Sequence, residues 1–353
     1  MLIRNQKDVL SMNMYKWIEN MIHTDYKKAL PVLSFPAVQD LFVTVRELVA
    51  SPEYQAMGMR MIADKYDMPA AISYMDLSVE AEAFGAQTVY AADEVPTIIG
   101  TMISTPEEAE ALKVPKLGTG RTGVTVEGIR KAVKIISDRP VIANCIGPYS
   151  LAGRLMNVND VMLYCYEEPE MVHTVLKKAT EFITKYAKAF KDAGADGIIM
   201  SEPLAGLLSP QLIEEFSTDY IKQIVNNLQD ESFIIIYHNC GNATVKLTKE
   251  IAATGCKVFH FGDAVDMKQV LELMPEDCLC LGNISPSKQF RHGTPKSIRL
   301  DTQRLLSTCN EHKNFLISSG CDVPPLTDWE NIDSFFNTVE SFYYRQRLFD
   351  LVK

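Results

Sequence analysis

A chain of 353 residues is long enough to bury a sizeable core, and its 47% hydrophobic and 23% charged residues are ordinary for a globular protein. A formal charge of −10 and an isoelectric point near 5.2 argue against nucleic acid or an anionic membrane surface as the main partner. No run reaches the roughly 18 uncharged apolar residues that a membrane span needs. The opening stretch MLIRNQKDVLSMNMYKW has charges throughout and no signal-peptide core, so a cytoplasmic location is the expected default. Eight cysteines in such a chain read as reduced thiols, most of them packed as small hydrophobes.

In chain order, residues 1–30 read as an N-terminal helical extension, with Met12, Tyr15, Ile18, Met21 and Ile22 spaced along one apolar face. From Pro31 the rhythm changes to short apolar runs alternating with longer amphipathic ones. Strands are predicted over Val32–Phe35, Ala70–Met75, Val141–Ile146, Gly197–Ser201, Phe233–Tyr237, Val258–Phe261, Leu279–Leu281 and Phe315–Ser318. Helices are predicted over Val43–Tyr66, Thr125–Ser137, Pro169–Ala193, Pro210–Leu228, Ala243–Thr254, Met267–Met274, Pro295–Cys309 and Trp329–Leu348. Ser209-Pro210, Thr294-Pro295 and Thr327-Asp328 supply start signals, and Gly194 and Gly255 supply stops. Residues 76–120, rich in glycine and proline, read as an irregular insertion. Eight strands alternating with helices predict an α/β fold, a (β/α)8 TIM barrel, in a single domain over residues 1–353. No G-x-G-x-x-G follows the first strand, which argues against a Rossmann domain.

A barrel of this kind builds its active site where its strands end. The residues there are polar: Asp76, Asn144, Glu202, His238, Cys240, His260, Asp263, Asn283 and Cys321. The run Phe233-Ile-Ile-Ile-Tyr-His238-Asn-Cys240 sends His238 and Cys240 out of the same strand face, two residues apart. In a closed barrel the strand before Cys321 opens on the same cavity. One neutral imidazole and two thiolates balance the charge of Zn²⁺ and leave a fourth position open, the mark of a catalytic zinc. Thiolate-rich ligation favours activating a sulfur nucleophile over hydrolysis. Glu202 reads as a displaceable fourth ligand or a nearby base. Buried structural thiols are the alternative reading of both cysteines. Cys278 and Cys280 begin a strand, at the opposite end of the barrel, and read as core. His260 is either a core histidine or a substrate contact. Asp76, Asp263 and Asn283 either bind ligand or cap loops, and Asn144 joins them as a candidate substrate contact.

Several segments together resemble the uroporphyrinogen decarboxylase superfamily, specifically its zinc-dependent cobamide methyltransferase branch. They are the H-x-C at His238, Gly282-Asn-Ile-Ser-Pro286 and Ser319-Gly-Cys321-Asp-Val-Pro-Pro325. Asp76-Leu-Ser-Val-Glu-Ala-Glu-Ala-Phe-Gly85, Gly147-Pro-Tyr-Ser-Leu-Ala152 and Ser201-Glu-Pro203 add to them. The resemblance implies a (β/α)8 barrel and zinc on His238, Cys240 and Cys321, with Glu202 at the family's acidic position. It also implies methyl transfer between a corrinoid and a small molecule, either a coenzyme M-like thiol or another methyl donor or acceptor. No D-x-H-x-x-G corrinoid-ligating motif is present, so the corrinoid is expected on a separate partner protein. The decarboxylase branch carries an R-Q-A-G-R-Y segment that holds carboxylates. Ser34-Phe-Pro-Ala-Val-Gln-Asp40 has no arginine at that place, which disfavours a decarboxylase. Decarboxylation and non-catalytic tetrapyrrole or corrinoid binding are the alternative functions.

Overall fold

The computed structural model describes residues 12–352, with side chains described as far as 348. Seven strands form one all-parallel sheet: β1 (Ala71–Ile72), β4 (Val141–Ile146), β5 (Gly197–Ser201), β6 (Ile234–Asn239), β7 (Val258–Phe261), β8 (Leu279–Ile284) and β9 (Phe315–Ser319), adjacent in that order. Between β1 and β4 the chain forms a separate antiparallel pair, β2 (Gln87–Val89) with β3 (Thr97–Ile99). That pair gives partial order to the insertion the sequence marks as irregular. Every residue of β4, β5 and β6 is buried, as expected for parallel strands covered on both faces.

The predicted strand Val32–Phe35 forms no ladder, yet it occupies the eighth stave. Leu30 N–H donates to the Ile317 carbonyl at 3.0 Å, and Val32 N–H to Ser319 Oγ at 3.0 Å, both on β9. On the other side Ser34 Oγ donates to the Ile72 carbonyl of β1. Pro31 and Pro36 bracket the segment and have no N–H to give a ladder, so side chains stand in for backbone partners. The segment thus joins the two edge strands and completes a TIM-barrel fold.

The helical extension is shorter than predicted. A helix spans Met14–His23, capped by Asn13, whose side chain accepts from Lys16 N–H. Residues 24–30 are not helical, and residues 1–11 lie outside the described residues. Its buried face is Met14, Trp17, Ile18 and Ile22, with Tyr15 exposed, so the predicted apolar stripe is rotated. Ser51-Pro52 divides the predicted helix Val43–Tyr66 into Val45–Ala50 and Pro52–Lys65, because Ser51 caps the second piece and Pro52 opens it. Two helices, Pro148–Met156 and Val158–Glu167, follow β4 without having been predicted. No helix among the described residues is long and apolar enough to cross a membrane.

Candidate metal centre

The hydrophobic run of β6 carries His238 to the C-terminal end of the barrel, where it is buried, and Cys240 follows in the half-buried loop. β9 delivers Cys321, also half-buried, to the same place. Two glycines let these loops approach. A Cβ at Gly262 would overlap Cys240, and one at Gly320 would stand 2.5 Å from the Asp263 nitrogen. The Cys240 and Cys321 thiols interact directly. Cys321, and next to it His238, lower the Cys240 thiol against its burial, while the Cys240 partner pushes Cys321 upward. Cys321 Sγ also lies 3.7 Å from the Met75 thioether.

His238 sits deeper. Its Nδ1 is 3.2 Å from the His260 carbonyl and 2.6 Å from His260 Nδ1, while its buried Nε2 has no hydrogen-bond partner. Among the described residues no three His, Cys, Asp or Glu side chains are drawn together tightly enough to make a metal shell outright. What the fold supplies is a convergence: a buried imidazole nitrogen without a partner, and next to that imidazole the Cys240 thiol, which itself interacts with Cys321. An orphaned buried nitrogen calls for an explanation, and this donor set fits zinc.

The other predicted residues are drawn into different work. Glu202 has a full set of partners of its own. It is fully buried at the end of β5 and turned toward the first turn of the helix Pro148–Met156. Oε1 accepts from Tyr149 N–H at 2.8 Å, and Oε2 from Ser150 N–H at 2.9 Å and Ser150 Oγ at 2.7 Å. Burial pushes it up to about 7, opposed by those three donors. Both its oxygens satisfy the positive end of a helix. His260 is 0% exposed and bonded to His238 and Ser318, which favours the core-histidine reading of the two. Burial, reinforced by His238, holds its pKa well below the usual range.

Asp76 is buried against Arg121 and accepts from Ser78 N–H at 3.0 Å, contacts that fix the loop, and it lines the small cavity beside Asn144. Asn283 likewise caps a loop, donating to the Gly262 and Val265 carbonyls at 2.9 and 2.7 Å. Asn144 donates to the Ser73 carbonyl at 2.7 Å, and its Oδ1 is buried without a partner. Asp263 alone among these stands close enough to Cys240 to act on its charge.

Arg121 and Glu80 were not predicted as site residues. Burial works against the Arg121 charge, but Asp76 and Glu82, the latter at 2.6 Å, outweigh it and raise its pKa. Its only sequence signal is the glycine-rich turn Gly118-Thr-Gly-Arg121. Glu80 accepts from Ile146 N–H at 2.9 Å, and its Oε2 shares a small cavity with Asn144, Asp76 and Arg121, unpartnered. Burial pushes Glu80 from 4.5 up to about 8. A carboxyl raised in the folded state stabilises most below its free pKa, and that contribution is lost as pH rises through the folded value. Glu80→Gln is therefore expected to gain stability on the wild-type protein between about pH 5 and about pH 8. Urea midpoints that keep a constant difference across that range would contradict a neutral Glu80.

The chain is 28% identical to the methylcobamide:CoM methyltransferase MtbA of Methanosarcina acetivorans over 278 residues, covering 76% of this chain and 78% of that one. It is 25% identical to the uroporphyrinogen decarboxylase of Pseudoalteromonas translucida over 293 residues, 79% of this chain and 80% of the other. The fold matches that of a methyltransferase from Methanosarcina mazei with a TM-score of 0.82 at 21% identity, covering 94% of this chain and 99% of that one. The signature of the uroporphyrinogen decarboxylase (URO-D) family matches residues 37–342. The chain belongs to the uroporphyrinogen decarboxylase family.

Proposed function

We propose that this protein is a zinc-dependent methyltransferase that moves a methyl group between a corrinoid on a separate protein and a small thiol. One observation carries the reading: His238 holds a buried Nε2 without a partner, and the Cys240 thiol beside that imidazole interacts with Cys321. Zinc bound there would keep a substrate thiol deprotonated at neutral pH. His238 would supply one ligand from the barrel floor, and Cys240 and Cys321 two from the rim. The sulfurs are the reachable side of the site, since His238 is buried and both cysteines are half-exposed. A thiol therefore approaches along the cysteines, past Met75, with Asp263 nearby to disfavour extra negative charge at Cys240.

The relative named for methylcobamide and coenzyme M supports this reading. Decarboxylase relatives match at similar identity. Against that activity, the segment 34–40 offers no arginine to hold a polycarboxylate. Methylcobalamin mixed with zinc-loaded protein and a panel of small thiols separates the two. Loss of the methyl–cobalt absorbance with one or more thiols is expected. No demethylation with any thiol, together with carboxyl loss from a porphyrinogen, would replace the proposal with the decarboxylase reading.

A further inference from the structure

Four contacts beneath the sulfurs determine one another. Ser318 Oγ donates to the Leu30 carbonyl at 2.7 Å, and a carbonyl only accepts. With its hydrogen committed, Ser318 can only accept from His260, whose Nε2 is 2.9 Å away. His260 therefore carries its hydrogen on Nε2 and a lone pair on Nδ1. That lone pair is 2.6 Å from His238 Nδ1, a separation that requires a hydrogen between them. The hydrogen sits on His238, where the His260 carbonyl at 3.2 Å shares it. His238 is left with its lone pair on Nε2, the atom without a partner in hydrogen-bond geometry, beside the Cys240 thiol. His260 and Ser318 are both 0% exposed, so bulk water does not substitute at either position.

We infer that His260 and Ser318 are positioning residues that fix the tautomer of His238, and that the Leu30 carbonyl starts the relay. Leu30 belongs to the segment that closes the barrel, with its own N–H on Ile317 of β9. Closing the barrel and readying the imidazole are then one event. The geometry of the relay stands by itself; its value for metal binding rests on the zinc reading above. A free histidine side chain favours hydrogen on Nε2, the nitrogen that a metal here would need bare. The relay reverses that preference before any metal arrives, and such supporting contacts typically govern about 10–100-fold in metal affinity.

The test uses the full chain, metal-free, with ¹⁵N-labelled histidine and long-range proton–nitrogen correlation spectra. His238 is expected to show a bare Nε2 and a protonated Nδ1. Ser318→Ala removes the hydroxyl partner of His260 and leaves its bond to the Ser319 backbone, so the His238 signal should shift part of the way toward Nε2 protonation, and zinc affinity by chelator competition should fall about 10-fold or more. Ser318→Thr, which keeps a hydroxyl, should restore both. A wild-type spectrum with His238 Nε2 protonated would overturn the inference, as would an unchanged tautomer in folded Ser318→Ala. If Ser318→Ala does not fold, the wild-type spectrum decides alone. A bare Nε2 in a protein that binds no zinc would support the relay and remove the metal reading.

Discussion

Replacing Cys321 with alanine is expected to strip the protein of zinc and of methyl transfer together. Two thiolates and a neutral imidazole cancel the charge of the ion, and one thiolate does not. Cys321 is also the main cause that lowers the Cys240 thiol, so losing it makes the remaining ligand harder to deprotonate. Removing a ligand should cost at least the upper end of what a supporting residue costs, about 100-fold in affinity. Cys278→Ala is the control. That thiol is buried at the other end of the barrel, and burial, with Asp277, pushes it up to about 11. Elemental analysis after dialysis against a mild chelator should find zinc in Cys278→Ala and almost none in Cys321→Ala. Equal zinc in both would show that the ligand set is wrong.

The second large effect is on stability. Glu202→Ala leaves Tyr149 N–H, Ser150 N–H and the Ser150 hydroxyl without an acceptor, all in the interior. Each orphaned donor costs about 1–3 kcal/mol, and relief of the carboxylate's own burial offsets part of the total. A net loss of about 3 kcal/mol or more is expected in urea unfolding, with zinc content unchanged. Gly147 reinforces the point. A side chain there would collide with the Glu202 carboxylate, so glycine and glutamate form one fitted pair at the helix start. Zinc loss with unaltered stability would return Glu202 to the metal.

The sequence made the barrel and the heart of the site readable for one reason. Strand periodicity places His238 and Cys240 on one face, and barrel closure brings Cys321 to them without any local motif. Residues whose role depends on distant partners were not readable. Glu202 looks like a ligand because it ends a strand, but the donors that claim it lie on an unpredicted helix beginning at Pro148. Asp76 looks like a substrate contact until Arg121 reaches it from a loop 45 residues away. His260 was ambiguous because its meaning comes from register: β6 and β7 pair so that His238 stands directly beside it. The eighth stave was readable as a strand but not as an irregular one, since only the proline positions hint that the ladder fails there.

Zinc-edge X-ray absorption on the purified full chain tests the central claim most directly. The account predicts two sulfur neighbours at the metal in the wild-type protein, from Cys240 and Cys321, with nitrogen or oxygen completing the shell. On adding an active thiol a third sulfur should appear. A shell of nitrogen and oxygen alone, unchanged by thiol, would contradict it.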